Sequence, residues 1–184
     1  MPSSSLKFAV VLLFVAGAAC ARTASAQSKY KPCSMVSAAE AEALTGQKIA
    51  KTAESDIPYA KDAIHDHADV VSICSRAVSA TRGLTLTVSS TPVTPEGKAR
   101  GEAKAKDAEE KLKKQGAKVE AKDFGAIKCS TIILQGAMAA FSGTNCGAVK
   151  GGQFFSVMIT AGPNGPAPID QVHALAEKIL SRMP

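Results

Sequence analysis

Cys33, Cys74, Cys129 and Cys146 lie behind an N-terminal segment with the layout of a secretory signal, and this combination constrains the chain more than any other feature. Thiols in an exported chain meet an oxidising compartment, so these four read as two disulfides rather than as catalytic thiols or metal ligands. No C-x-x-C spacing occurs, which removes the usual signatures of thioredoxin-like redox chemistry and of paired zinc ligands. Four cysteines allow three connectivities. The expected one is Cys33–Cys74 with Cys129–Cys146. A hairpin turning near Gly136 to Ala139 sets Cys129 opposite Cys146, and Cys33, just before the first helix, pins that helix to the strand carrying Cys74.

Residues 1–26 supply the parts of a signal peptide: Lys7, an apolar run from Phe8 to Ala19, and small residues at Ala24-Ser25-Ala26. The run is too short to span a bilayer. Cleavage before Gln27 leaves residues 27–184 as a single disulfide-stapled domain with no further transmembrane candidate, secreted or periplasmic in a bacterial envelope. The alternative is a lipid anchor on Cys20, which follows Gly17-Ala18-Ala19 as in a loose lipobox. Losing Lys7 and Arg22 lowers the formal net charge from +6 to +4. Trp is absent, so the core must come from Val, Ile, Leu, Ala and Phe.

Ser37-Ala38-Ala39-Glu40 is a capping box that opens a short helix, and Gly46 ends it. Residues 53–68 have no steady period and contain Pro58, so they read as a connecting loop. Asp69 to Val78 and Gly83 to Ser90 are strand-like and pair as a hairpin. Thr94-Pro95-Glu96 opens the clearest helix, with Gly116 beyond its end. Its acids each precede a base by four residues: Glu102 to Lys106, Asp107 to Lys111, Glu109 to Lys113 and Glu110 to Lys114. That order is favourable on an exposed face. The stripe Gly101, Ala105, Ala108 and Leu112 predicts that this helix lies close against a sheet. Val119 to Phe124, Ile127 to Leu134, Ala139 to Val149 and Gln153 to Ala161 read as further strands. A final helix carries Ile169, Val172, Leu175, Ile179 and Met183 along one stripe.

Phe154 and Phe155 are neighbours and so point to opposite faces of their strand. A sheet with a large apolar residue on each face calls for cover on each side. The expected fold is therefore α+β, a mainly antiparallel sheet covered by helices on both faces. The run of Pro32-Cys33, Ala39-Glu40, Gly46, Cys74, Gly125-Ala126, Lys150-Gly151 and the closing helix resembles a group of small bacterial exported proteins, lipoproteins or sensor-type extracytoplasmic domains of unassigned function. That resemblance implies the MOG1/PsbP-like architecture, an antiparallel sheet sandwiched by helices.

His65-Asp66-His67-Ala68-Asp69 is the one cluster of ligand-type residues, and it resembles the opening of the metallo-β-lactamase zinc motif. Such a site would use His65, His67 and Asp69 as ligands, but Val70 stands where the motif continues with His, and His173 is the only histidine left. Catalytic zinc takes three protein ligands and keeps a position open for water. The cluster reads instead as a solvated polar loop, and no cofactor is expected. No nucleophile elbow occurs, and no phosphate-loop or dinucleotide spacing, so no catalytic residue is assigned. Lysines between Lys98 and Lys122 alternate with acids and lack aromatic stacking partners, which argues against nucleic acid.

The expected function is non-enzymatic: binding a ligand or an envelope protein. Recognition is placed on the segment 53–68 and the Pro/Gly loop 162–168, because irregular loops on a rigid scaffold commonly carry it. Ile57 and Tyr59 are the expected contact residues, apolar side chains beside Pro58 in an otherwise polar stretch. A metal protein or metal-dependent hydrolase using His65 to Asp69, and a structural envelope component, are the competing classes. The sequence carries no signal for oligomeric state.

Overall fold

The computed structural model describes residues 30–59, 69–89, 92–160 and 165–184. The signal segment, Cys20, His65 and His67 lie outside the described residues. Two short helices come first, α1 (Pro32–Met35) and α2 (Ala38–Thr45), followed by β1 (Lys51–Tyr59), β2 (Asp69–Ala77) and β3 (Gly83–Ser89). Next come α3 (Pro95–Lys114), β4 (Lys118–Phe124) and β5 (Ile127–Ile133), then a 3₁₀ turn at Gly136–Phe141. β6 (Gly143–Lys150), β7 (Gln153–Thr160) and α4 (Ile169–Arg182) complete the domain. No helix among the described residues is long and apolar enough to cross a membrane.

Local chemistry sets the helix ends. The Ser37 hydroxyl accepts from the Glu40 N–H at 3.2 Å while the Glu40 carboxylate accepts from the Ser37 N–H at 2.8 Å, closing the capping box. Gly46 then stops α2 with φ of +68°, a conformation that other residues adopt at a cost. At α3 the Thr94 hydroxyl accepts from the Gly97 N–H at 3.0 Å, and Pro95 occupies the first turn, where its missing N–H would have had no helical partner.

The strands form one seven-stranded sheet in the order β1-β2-β3-β7-β6-β5-β4, every neighbour antiparallel. Two meanders, β1 to β3 and β4 to β7, meet where β3 pairs with β7. The chain must therefore travel from the middle of the sheet to its far edge after β3. α3 makes that journey: its 20 residues reach about 30 Å, more than the roughly 19 Å across four strand spacings.

α1, α2 and α4 all pack on one face of the sheet. There Leu84, Leu86 and Val88 of β3, Phe155, Val157 and Ile159 of β7, and Cys74 and Cys146 are buried against Val36, Val172, Leu175 and Ile179. The last turn of α4 is tied down by Lys150 at the end of β6, whose Nζ donates to the carbonyls of Leu180 at 3.0 Å and Met183 at 2.7 Å. Three of those four helices thus serve one core.

The expectation of helices over both faces is overturned. The register places Ser75, Thr85, Thr87, Ser130, Asn145, Ser156 and Met158 on the second face. Only α3, among the described helices, reaches that side, packing against β4 and joining the sheet through Glu102–Lys128 at 2.8 Å. Hydroxyl and amide side chains solvate the middle of this face, as an antiparallel sheet allows, while Val71 and Ser89, paired on the same face, are buried. Phe155 is fully buried, but Phe154 on the opposite face is only half-buried, and among the described residues only α3 reaches that face, against β4. The predicted contact stripe of α3 is correspondingly loose: Gly101 and Leu112 are half-buried, while Ala105 and Ala108 are exposed.

Residues 53–59, read as loop, are most of β1. An edge strand open on both sides need not alternate in hydropathy, and Pro58 is tolerated there because one side of the strand has no ladder to interrupt.

Candidate functional site

Ile57 stands on the second face of edge strand β1 and is 41% exposed. Its register partner on β2, Val71, is buried. Tyr59 closes β1 opposite Asp69, the first residue of β2. Toward the other end of the same two strands, Lys51, Ala53, Ser75 and Ala77 line a hollow of about 330 Å³ on that face. Small side chains at adjacent positions leave this depression in the sheet surface.

The Pro/Gly loop is described only in part. Its described part, 165–168, turns inward: Ala167 is buried, and its carbonyl accepts from the Thr144 hydroxyl at 2.6 Å. It anchors the start of α4 and leaves Pro168 exposed. Segments 60–68 and 161–164 lie outside the described residues.

His173 projects from α4 onto β4. Its ring stacks on Phe124 with centroids 3.8 Å apart, and Lys122 Nζ lies 4.8 Å from the centroid of the same Phe124 ring. No group of three or more His, Cys, Asp or Glu side chains among the described residues is placed to hold a metal ion. The structure joins Cys33 to Cys74 and Cys129 to Cys146, the expected pairing.

A second site lies between the first two helices and β2, where a cleft of about 590 Å³ is lined by Cys33, Ser34, Ser37, Glu40, Arg76 and Arg182. Arg76 follows Cys74 by two residues and so shares its face of β2. Its Nη2 donates to the carbonyls of Cys33 at 3.0 Å and Val36 at 2.8 Å, and its Nη1 donates to the Thr52 hydroxyl at 2.9 Å. Its Nε is buried and has no acceptor among the described residues.

Arg182, from the end of α4, grips both oxygens of Glu40 at 2.8 and 3.0 Å and also donates to the carbonyl of Met35 at 2.6 Å. Those Arg182 bonds, with the Ser37 N–H and hydroxyl, hold the Glu40 carboxyl down at about 2, against 4.5 ordinarily. Glu40 is therefore charged across the physiological range. One carboxylate serves at once as helix cap and as clamp between α2 and α4.

Sequence reasoning passed over Arg76 and Arg182. The available signal for Arg76 was its parity: a cation sharing the inward side of a strand with a disulfide cysteine. Met158 on β7, 38% exposed, was also missed, as were Ile133 at 40% and Phe141 at 51% at the β5–β6 connection. Gly136-Ala-Met-Ala-Ala-Phe141 is unusually apolar for a hairpin turn, which was the sign of them. No protein-family model matches the chain, and no curated protein or solved structure matches it.

Proposed function

We propose that this chain is an exported, non-enzymatic binding domain that recognises an envelope protein through the open sheet face at β1 and β2, with Ile57 and Tyr59 as contact residues. The signal-like N-terminal segment and the two disulfides support a secreted or periplasmic location. The observation that carries the reading is Ile57, a large apolar side chain 41% exposed on the face of β1 where no described helix packs, on the same two strands as a hollow of about 330 Å³.

The composition of β1 selects the mode of contact. Lys51, Glu54, Asp56 and Pro58 are residues that blunt a strand edge against adding another strand. A partner therefore docks side chains onto the face rather than extending the sheet. A photo-crosslinking residue at position 57, in the native envelope, is expected to form an adduct with one protein, and the same residue at exposed position 141 is not. Ile57→Ser with Tyr59→Ser should abolish the association with little change in melting temperature. An adduct from position 141 alone, or unfolding of the double variant, overturns the site.

A further inference from the structure

The cleft at Arg76 carries an inference independent of the open sheet face. Arg76 has five N–H bonds, and three are used: two from Nη2 to the carbonyls of Cys33 and Val36, one from Nη1 to Thr52. Among the described residues the Nε–H has no acceptor but is buried, and Nη1 makes one of its two bonds, so a ligand in the cleft meets Arg76 at Nη1. All three acceptors are neutral, so among the described residues the guanidinium has no counter-charge in contact. The other guanidinium of the cleft, Arg182, is already matched by Glu40. Two cations and one carboxylate leave the cleft one positive charge in excess.

The neighbouring hydroxyls do not compete as donors. Ser34 Oγ donates to the Lys31 carbonyl at 2.7 Å, and Ser37 Oγ donates to Glu40 at 3.0 Å. Glu40 shows how this region of the molecule treats a carboxylate, giving it four hydrogen bonds from Ser37 and Arg182. A second carboxylate has Arg76 as its donor.

We infer that the cleft lined by Arg76, Ser34, Ser37 and Ala38 is a binding site for a carboxylate group, selective for a single negative charge. A monoanion neutralises the excess charge, whereas a dianion over-neutralises it and meets the fixed charge of Glu40. Guanidinium is also the side chain best matched to a planar carboxylate. The carboxylate belongs either to a small organic acid or to a peptide C-terminus, and one experiment separates them.

The Nε–H signal of Arg76 is followed by nuclear magnetic resonance in the oxidised chain, titrated at constant ionic strength with acetate, acetyl-alanine, sulfate or chloride. Acetate is expected to shift the signal saturably, with a midpoint on the order of 1–10 mM, the range open to a ligand of so few atoms. Sulfate should bind at least about five-fold more weakly, and chloride should give only drift. Tighter binding of acetyl-alanine than of acetate assigns a peptide terminus, and equal binding assigns a free acid. Ala38→Glu lays a competing carboxylate on the cleft at the first residue of α2, where a negative charge is favourable, and removes no native hydrogen bond. That variant should stay folded and lose at least ten-fold in acetate affinity. Identical drift with all four anions, sulfate binding as tightly as acetate, or an Ala38→Glu variant that titrates as the wild type overturns the proposal.

Discussion

Cys33–Cys74 ties a four-residue helix to the second strand of the sheet, whereas Cys129–Cys146 ties two strands at residues that already face each other. The first bond closes a span of 41 residues that includes β1 and both short helices. The second closes a separation of 17 residues across a hairpin whose ladder runs on both sides of the bond, from Ile127–Ala148 to Ile132–Gly143. Loop-closure entropy alone gives about 4 kcal/mol for the longer span and about 3 for the shorter. The contrast in context is larger than that difference. α1 is too short to persist in isolation, and its links to the sheet are the disulfide, the Arg76 bonds and the burial of Pro32, Met35 and Val36. β5 and β6 lose one cross-strand link among many.

The largest expected effect tests that contrast directly. Replacing Cys33 and Cys74 with Ala should lower the melting temperature by roughly 10 °C and expose the amides of 30–36 to hydrogen exchange. Replacing Cys129 and Cys146 should lower it by roughly 6 °C or less, with the β5–β6 amides still protected. Equal exchange behaviour in the two variants breaks the comparison.

Glu40→Gln comes next, because the clamp from α2 to Arg182 closes over the same helices that Cys33 anchors. About 1 kcal/mol is expected, discounted for the exposure of Arg182. The folded carboxyl sits below its unfolded value, so its contribution is complete above 4.5 and is lost as pH falls toward about 2. Thermal melts of wild type and Glu40→Gln should differ at pH 7 and converge near pH 2. A constant difference across that window removes Glu40 ionisation from the account. Smallest of all is Lys128→Gln, which cuts the exposed ion pair from α3 to the sheet and should leave the melting temperature unmoved, since exposed pairs contribute little. A clear drop would show that α3 braces the second face after all.

These contrasts also mark what was legible in the sequence. Ser37 and Glu40, Gly46, Thr94 and Pro95 determine their own helix ends through local hydrogen bonds and backbone preference, so α2 and α3 stand where they were read. Leu84, Leu86 and Val88 alternate because one side of β3 is buried and the other is not. β1 was illegible for the converse reason: residues such as Ala53, Glu54 and Ser55, exposed on both sides of the strand, carry no period. The helical cover was misjudged from Phe154, which shows its direction but not what lies above it. Of the charge pairs on α3, Asp107–Lys111 and Glu109–Lys113 form as spaced, while Glu102 turns to Lys128, 26 residues away. Arg76 and Arg182 meet the first two helices only through tertiary folding, and no local pattern announces such a meeting. Ile57 was singled out for its chemistry; the pairing of its strand was not foreseen.

The position of α4 has a consequence for how the molecule is made. Val172, Leu175, Ala176 and Ile179 form the lid over the apolar face of the sheet, and Lys150 cannot engage the carbonyls of Leu180 and Met183 before those residues exist in the same compartment. A polypeptide delivered N-terminus first, whether from a ribosome or through an export channel, holds every strand before it holds its lid. Until α4 arrives, no other described helix packs along β5 and β6 on that face, and its apolar side chains there lack that cover. Closure of the interior thus waits for α4, so the helix that covers the finished core is also the last of the described elements to reach it.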